Sequence, residues 1–451
     1  MTQPPSDIRP HRLDKSEIDK NFGELHPPLS PSEALIEADR CYFCYDAPCT
    51  IACPTGIDIP GFIQKIRSKN MRGSARTILR ENIMGGMCAR VCPTEILCEE
   101  ACVRQSHEDK PVEIGLLQRY ATDPILADTT QLFERAEASG KKVAVVGGGP
   151  AGLSCAHRLA TLGHAVVVFN KDEKLGGLNE YGIAAYKTID GFAQREVDWI
   201  LSIGGIEVRN GVALGADFTL ARLNEQFDAV FLGIGLGSVN ELGDEFTEVP
   251  GIENAIDYIA DLRQADDKSE LPVGRRVVVI GGGMTAIDIA VQSKRLGAEH
   301  VDIVYRRGPE QMGASPFEQE LAQTNSVRIH HWAVPAGLKA DAGGAVTMEL
   351  GRTKLDENGK LKQTGEIFTL EADVVFKAIG QRLADDKLGD ELQGLTLEHG
   401  RIVIDDERTT SVDGVWAGGD CVVGGDDLTV SAVQDGKVAA LSIDRHIRET
   451  G

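Results

Sequence analysis

One design occurs twice in this chain. Residues 141–170 read KKVAVVGGGPAGLSCAHRLATLGHAVVVFN and residues 275–307 read RRVVVIGGGMTAIDIAVQSKRLGAEHVDIVYRR, so Gly147 and Gly281 stand 134 positions apart in equivalent places. Each stretch predicts a buried strand, a glycine turn, a helix and a second strand, which together form one βαβ unit. Two such units commit much of the chain to parallel sheets flanked by helices. After Phe376, FKAIGQRL and GVWAGGDCVVGGDDLTVSAVQDGKVAALSID read as strand and helix material of the first unit, which makes the second unit an insertion into it.

The glycine turns carry chemistry. In the first unit Gly147, Gly149 and Gly152 form G-x-G-x-x-G between a strand and a helix, the setting that makes this short pattern specific for a dinucleotide. Gly147 permits the turn, Gly149 lets backbone approach a pyrophosphate, and Gly152 permits close helix–strand packing. Pro150 and Ala151 open the helix, whose N-terminus turns the positive end of its dipole towards phosphate. The following strand ends in Asn170 where an acid usually grips the ribose, and an amide bonds a hydroxyl more weakly than a carboxylate does.

Further on, KLGGL at 174–178 supplies Gly176, Gly177 and Leu178, and AGGDC at 417–421 supplies Gly419 and Asp420. These pieces suit a flavin: the glycines let backbone pass beside it, and Asp420 can bind the ribityl chain, with Thr429 a further contact. The chain here resembles the two-dinucleotide-domain flavoprotein disulfide reductases, in which FAD fills the first domain and NAD(P)H the inserted second. No Cys-x-x-x-x-Cys follows the first unit, which speaks against dithiol chemistry. Cys155 reads as a buried helix residue and Cys421 as a neighbour of the flavin. In the second unit Gly281, Gly283, Met284, Thr285 and Ala286 form the turn, with alanine at the third glycine position. Arg306 and Arg307 end the next strand, where an acid would hold NADH. Arginine matches phosphate, which favours NADPH over NADH.

Eight of the ten cysteines lie before the first unit, in CYFCYDAPCTIACPTG at 41–56 and CARVCPTEILCEEAC at 88–102. Disulfides, zinc or iron–sulfur clusters each account for dense cysteine. The start of the chain has no apolar signal region and no stretch approaches eighteen apolar residues, so a cytoplasmic protein with reduced thiols is expected. Zinc sites usually take Cys-x2–4-Cys pairs and fit eight cysteines with two Cys-Pro steps poorly. In iron–sulfur proteins the Cys before Pro commonly serves a different cluster from its neighbours. A flavin module alongside, which gathers electrons in pairs, favours iron–sulfur carriers. Helical patterns at 32–39, 59–69 and 75–82 predict a small helical domain around these ligands, preceded by a polar arm. The formal charge of −22 argues against nucleic acid or an anionic membrane as partner.

These arrays, followed by a flavin domain with an inserted nicotinamide domain, resemble the small subunit of glutamate synthase and the N-terminal half of dihydropyrimidine dehydrogenase. Cys92 and Cys98 are separated by five residues, as in the pyrimidine enzymes, where glutamate synthase subunits carry C-P-A-P-C. PVEIGLLQRYATD, LGIGLG, AGGDCV and VSAVQDGK resemble the pyrimidine family too. The resemblance implies two 4Fe–4S clusters, one held by Cys41, Cys44, Cys49 and Cys102, the other by Cys53, Cys92, Cys98 and Gln118, with Cys88 spare. An amide in place of a thiolate removes a negative charge and by itself raises that cluster's potential. The expected architecture is multi-domain: an α-helical iron–sulfur domain with its arm at 1–135, an α/β FAD domain at 136–272 and 376–451, and an inserted α/β NAD(P) domain at 273–375. The resemblance further implies a hetero-oligomer, in which this chain is the electron-input subunit of a two-subunit bacterial enzyme. Its partner is an FMN-containing subunit of the dihydroorotate dehydrogenase type. A glutamate synthase small subunit and a stand-alone NAD(P)H diaphorase are the alternatives. No pyrimidine site and no catalytic acid or base are expected in this chain.

Overall fold

Val143–Val146 and Val277–Ile280 are runs of β-branched and small apolar residues, which suit strands covered on both faces, and all eight of these side chains are buried. The computed structural model describes residues 13–243, 246, 251–340, 346–384 and 388–450, so most of the polar arm, at 1–12, lies outside the described residues. Two compact units emerge. One gathers residues 26–180, 190–238 and 382–451; the other gathers the described part of 1–25, with 181–189 and 239–381.

In the first unit a five-stranded parallel sheet runs Val415–Ala417, Ala229–Leu232, Lys142–Val146, Ala165–Asn170, Ile206–Asn210. The second unit repeats this with Ile252–Asn254, Val374–Ala378, Arg276–Gly281, His300–Tyr305 and Arg328–His331, again all parallel. In both sheets the strand feeding the glycine turn is central. A separate antiparallel sheet of Ala333–Ala340, Val346–Leu355 and Leu361–Ala372 completes the second unit.

The helical region belongs to the first unit. Pro31–Asp39 starts at a capping box, in which Ser30 Oγ accepts from Glu33 N and the Glu33 carboxylate accepts from Ser30 N. Ile59–Arg67 buries Ile59, Phe62, Ile63 and Ile66, one stripe at helical spacing. Each such side chain contributes about 1.5–3 kcal/mol on burial. Asn70 caps Met71–Glu81 by accepting from Gly73 N at 3.0 Å. The core formed by these stripes and by Ile114 and Leu117 of the helix Ile114–Ala127 has Cys41, Cys49, Cys53, Cys98 and Cys102 packed against it.

The units divide the chain differently from the boundaries read in the sequence. The helical and flavin-type regions form one unit, and the second begins at 239 and takes in two distant segments. The reason is packing. Ile18, Phe22, Ala184 and Tyr186 join the same apolar cluster as Ile259, Val277, Ile287 and Val301. The strand Ile252–Asn254 also pairs with Val374–Ala378, which carries residues 252–272 into the second sheet's unit.

Within the first unit, Glu196 of the helix Phe192–Leu201 fastens the cysteine-bearing helices. Its Oε1 accepts from Gly86 N at 2.8 Å and Met87 N at 3.1 Å, at the start of the helix Gly85–Val91. Burial outweighs these donors and pushes the Glu196 carboxyl up to about 8. A carboxyl raised in the folded state holds more protons there than when unfolded. Its stabilising contribution is therefore complete below its ordinary pKa and is lost as pH rises through about 8. Glu196→Gln keeps both accepted bonds and is expected to flatten the fall in melting temperature between about pH 5 and 8; an unchanged slope would refute the assignment.

Candidate functional site

The helix Pro150–Thr161 begins at Gly149, directly after the first strand. Gly147 has φ +104°, and a Cβ there would stand 2.1 Å from Gly233 O. A Cβ on Gly152 would stand 1.9 Å from Gly147 O, so the turn closes on backbone alone. Gly176 and Gly177 both have positive φ, and a Cβ on Gly177 would lie 2.9 Å from Gly149 Cα. The structure thus brings these two glycine segments into contact, while Leu178 is exposed. The dense glycine backbone forms a cradle that fits a dinucleotide's pyrophosphate.

Asn170 braces this cradle. Its Oδ1 accepts from Gly148 N at 3.2 Å, and its Nδ2 donates to Asp172 O at 2.8 Å and Lys174 O at 3.0 Å. The amide nitrogen is spent on the loop, leaving a lone pair of Oδ1 for a hydroxyl. Asp420 is half-buried at the end of the strand Val415–Ala417, and burial, then Asp427, pushes its carboxyl up to about 6. A Cβ on Gly235, after the strand Ala229–Leu232, would lie 3.5 Å from Asp420 Oδ1, so the strand ends of the first sheet gather this group. Thr429 Oγ1 and Asn179 Oδ1 are 2.7 Å apart, tying the start of the last helix to the KLGGL segment.

Sequence reading missed Asp435. Its Oδ2 accepts from Gly419 N at 2.8 Å and its Oδ1 from Arg408 Nε at 2.8 Å, which fixes the loop bearing Asp420. Nothing local marked it, because its partners lie 16 and 27 residues away. Cys155 and Cys421 are both fully buried.

The second unit repeats the cradle with a difference. Gly281 has φ +152° and would meet Ala378 O at 2.1 Å, whereas a Cβ on Gly283 meets nothing within 4 Å. Gly283 is the N-cap of the helix Met284–Arg295, with Thr285 partly exposed on its first turn and Ala286 buried beneath it. The space beside Gly283 fits a second pyrophosphate. Arg306 is exposed and Arg307 half-buried just beyond the strand His300–Tyr305. Among the described residues neither guanidinium has a hydrogen-bond or ion-pair partner.

The cysteines gather around two centres of mutual charge, joined where Cys53 and Cys49 both raise Cys98. Burial first, and then mutual charge, raises the thiols: Cys41 is opposed by Cys102 and Cys44, and Cys49, pushed up to about 12, by Cys102 and Cys41. Cys92 is raised by its hydrogen bond with Cys88, then by burial and by Cys88, Cys98 and Cys53. Gln118 is buried on the helix Ile114–Ala127, which packs on the helix carrying Cys88, and its Nε2 donates to Gly85 O at 2.7 Å. That bond leaves Oε1 as the amide atom available to a metal. Among the described residues no three His, Cys, Asp or Glu side chains gather as on a single metal ion. Thiolates crowded in an apolar setting need a compensating cation, and the donor chemistry of both groups fits iron–sulfur ligation.

Comparison with known proteins finds a cysteine-bearing family followed by a nucleotide-binding one. Residues 18–130 match the family described as dihydropyrimidine dehydrogenase domain II, 4Fe-4S cluster, and residues 141–436 match the pyridine nucleotide-disulphide oxidoreductases. The NAD-dependent dihydropyrimidine dehydrogenase subunit PreT of Salmonella typhimurium is 34% identical over 426 residues, covering 94% of this chain and 97% of the relative. PreT of Escherichia coli K12 is 32% identical over 425 residues, with the same coverage of 94% and 97%. Two solved structures share the fold. FprA of Mycobacterium tuberculosis in complex with NADPH has TM-score 0.57 and 20% identity, over 69% of this chain and 85% of its own. Thioredoxin reductase of T. acidophilum has TM-score 0.53 and 24% identity, over 69% of this chain and 100% of its own.

The two cradles predict different responses to one added methyl group. Gly147→Ala collides with backbone and should yield protein without flavin absorbance. Gly283→Ala has room in the protein, so flavin should remain while KM for the nicotinamide rises about tenfold or more, the scale of a lost charge-assisted contact. Flavin retained at full occupancy in Gly147→Ala would contradict the first assignment.

Proposed function

We propose, for a chain that belongs to the PreT-type NAD-dependent dihydropyrimidine dehydrogenase subunits, that it is the electron-input half of an enzyme reducing pyrimidines. The chemistry supplied by the bound groups is hydride transfer from NAD(P)H to FAD, then one-electron transfer by two 4Fe–4S clusters to a partner subunit of the dihydroorotate dehydrogenase type, which carries FMN and reduces uracil or thymine to the 5,6-dihydropyrimidine. In this reading Gly147, Gly149, Gly176 and Gly177 hold FAD, and Gly281, Gly283 and Ala286 hold the nicotinamide dinucleotide. Cys41, Cys44, Cys49 and Cys102 hold one cluster; Cys53, Cys92, Cys98 and Gln118 hold the other.

One observation carries this reading. The flavin-type cradle and both thiol groups share a single compact unit, and the last helix, which begins at Thr429, is bonded to the Cys53 loop. Lys437 Nζ donates to Thr55 O at 3.0 Å, and Cys53 Sγ lies 3.3 Å from Thr55 Oγ1. A rigid link of this kind holds a donor and an acceptor at constant separation, as electron relay requires. Tyr45 and Ile51, close in sequence to Cys44 and Cys49, are exposed, as residues that meet a partner subunit would be. In this chain the residues bind and orient cofactors; none need protonate the pyrimidine.

The five-residue spacing between Cys92 and Cys98 speaks against the glutamate synthase alternative. Anaerobic purification of the tagged chain from its own cells, with mass spectrometry of co-eluting proteins, tests the partner. An FMN-barrel protein supports the reading, a large amidotransferase subunit replaces it with glutamate synthesis, and no partner leaves a diaphorase.

Two predictions follow from the assigned roles. Cys53→Ala should abolish NAD(P)H-driven uracil reduction by the complex while dye reduction through the flavin persists; full uracil reduction would sink the relay. For the nicotinamide, Arg306 and Arg307, which have no side-chain partner among the described residues, support NADPH, whereas the names of the relatives support NADH. If the arginines hold a 2′-phosphate, Arg306→Ala with Arg307→Ala raises KM for NADPH about tenfold or more and spares NADH. Equal KM changes for both nicotinamides would remove the phosphate contact.

A further inference from the structure

Away from both cradles, the first unit contains a cavity of about 460 Å³ built from four separate stretches of chain, at 72–83, 131–134, 154–161 and Lys437. Its lining reverses the charge of the molecule. Arg72, Arg76, Arg80, Arg158 and Lys437 face Glu81 and Glu134, in a chain whose formal charge is −22. The first three arginines recur every fourth residue on Met71–Glu81, so they project from one face of that helix. Among the described residues Arg72 and Arg76 have no hydrogen-bond or ion-pair partner. Arg158 is engaged through Nη2 with Arg80 O at 2.7 Å, and burial, partly offset by Glu81, disfavours its protonated form.

A fixed aromatic ring borders the same space. His157 lines the cavity and is 5% exposed, yet its Nε2 is buried without a hydrogen-bond partner. Its ring stacks on Trp199 with centroids 6.4 Å apart, which fixes its orientation. The cavity also has an apolar side made by Leu79, Leu132 and Phe133. Arginine forks match phosphate oxygens bidentately, an apolar wall accepts a planar body, and the volume falls in the range of small-molecule sites.

We propose that this cavity binds a phosphorylated small molecule of nucleotide size, its phosphate held by Arg72 and Arg76 and its body resting on the wall beside His157. Such a ligand adds an anion to a lining in which five cations face two carboxylates. It also engages the layer that joins the cysteine helices to the flavin-type helices, because Arg158 bonds Arg80 O and Lys437 bonds Glu81 O at 3.1 Å. Occupancy therefore registers as stability of the whole unit.

The test is a melting experiment on the FAD- and iron-loaded chain, prepared anaerobically with NAD+ saturating so that both cradles are filled. Uridine 5′-monophosphate is the probe, with uridine and sodium chloride at matched ionic strength as controls. The expected result is a saturable rise in melting midpoint with the monophosphate alone. Arg72→Ala with Arg76→Ala, two exposed substitutions that leave the unliganded midpoint unchanged, should weaken the apparent dissociation constant more than about tenfold. The proposal is overturned by an equal rise with uridine or chloride, by no rise with the monophosphate, or by a rise that survives in the double variant.

Discussion

Buried sulfur is the constraint on which the first unit turns. Five cysteines pack against a cluster of isoleucine, leucine, phenylalanine and alanine. A thiolate there loses its hydration, and a neighbouring negative charge makes matters worse, which is why burial and then nearby charge push the Cys41, Cys49 and Cys98 thiols upward. Charged ligands in such a place are stable only when an iron–sulfur core neutralises them.

The same unit adds fastenings between its cysteine helices and its flavin-type helices. Glu196 accepts two backbone N–H groups of the Gly85–Val91 helix. Lys437 reaches Thr55 and Glu81, and Arg158 reaches Arg80. Three buried or half-buried ionisable side chains bonding to backbone is an expensive arrangement on desolvation grounds. It makes sense where a fixed separation between cofactors matters more than maximal stability. The close approach of the last helix serves the same end: a Cβ on Gly436 would stand 2.1 Å from Ala151 O, so nothing intervenes between that helix and the one leaving the first glycine turn.

Much of this was legible in the sequence because it is local. The run Val143–Val146 followed by Gly147 specifies a buried strand and a turn without reference to anything distant. The stripe Ile59, Phe62, Ile63, Ile66 specifies a helix, which runs Ile59–Arg67. The grouping of domains was not legible, since Ile18 and Phe22 find their core among residues such as Ile259 and Val277, more than two hundred positions away. Asn170 read as a weakened ribose contact, yet its amide braces the glycine loop through Asp172 and Lys174. Asp435 and the cationic cavity were invisible for the same reason. Each is assembled from segments that only the folded chain brings together.

The central claim is that two thiol groups, one completed by an amide, hold two clusters beside the flavin. Iron, acid-labile sulfide and zinc measured per FAD in the anaerobically purified chain, with a Mössbauer spectrum of the iron-57-enriched protein, test it most directly. The account predicts about eight irons and about eight sulfides per flavin, in two cluster environments. Zinc in place of iron, or a single cluster of about four irons per flavin, would contradict it.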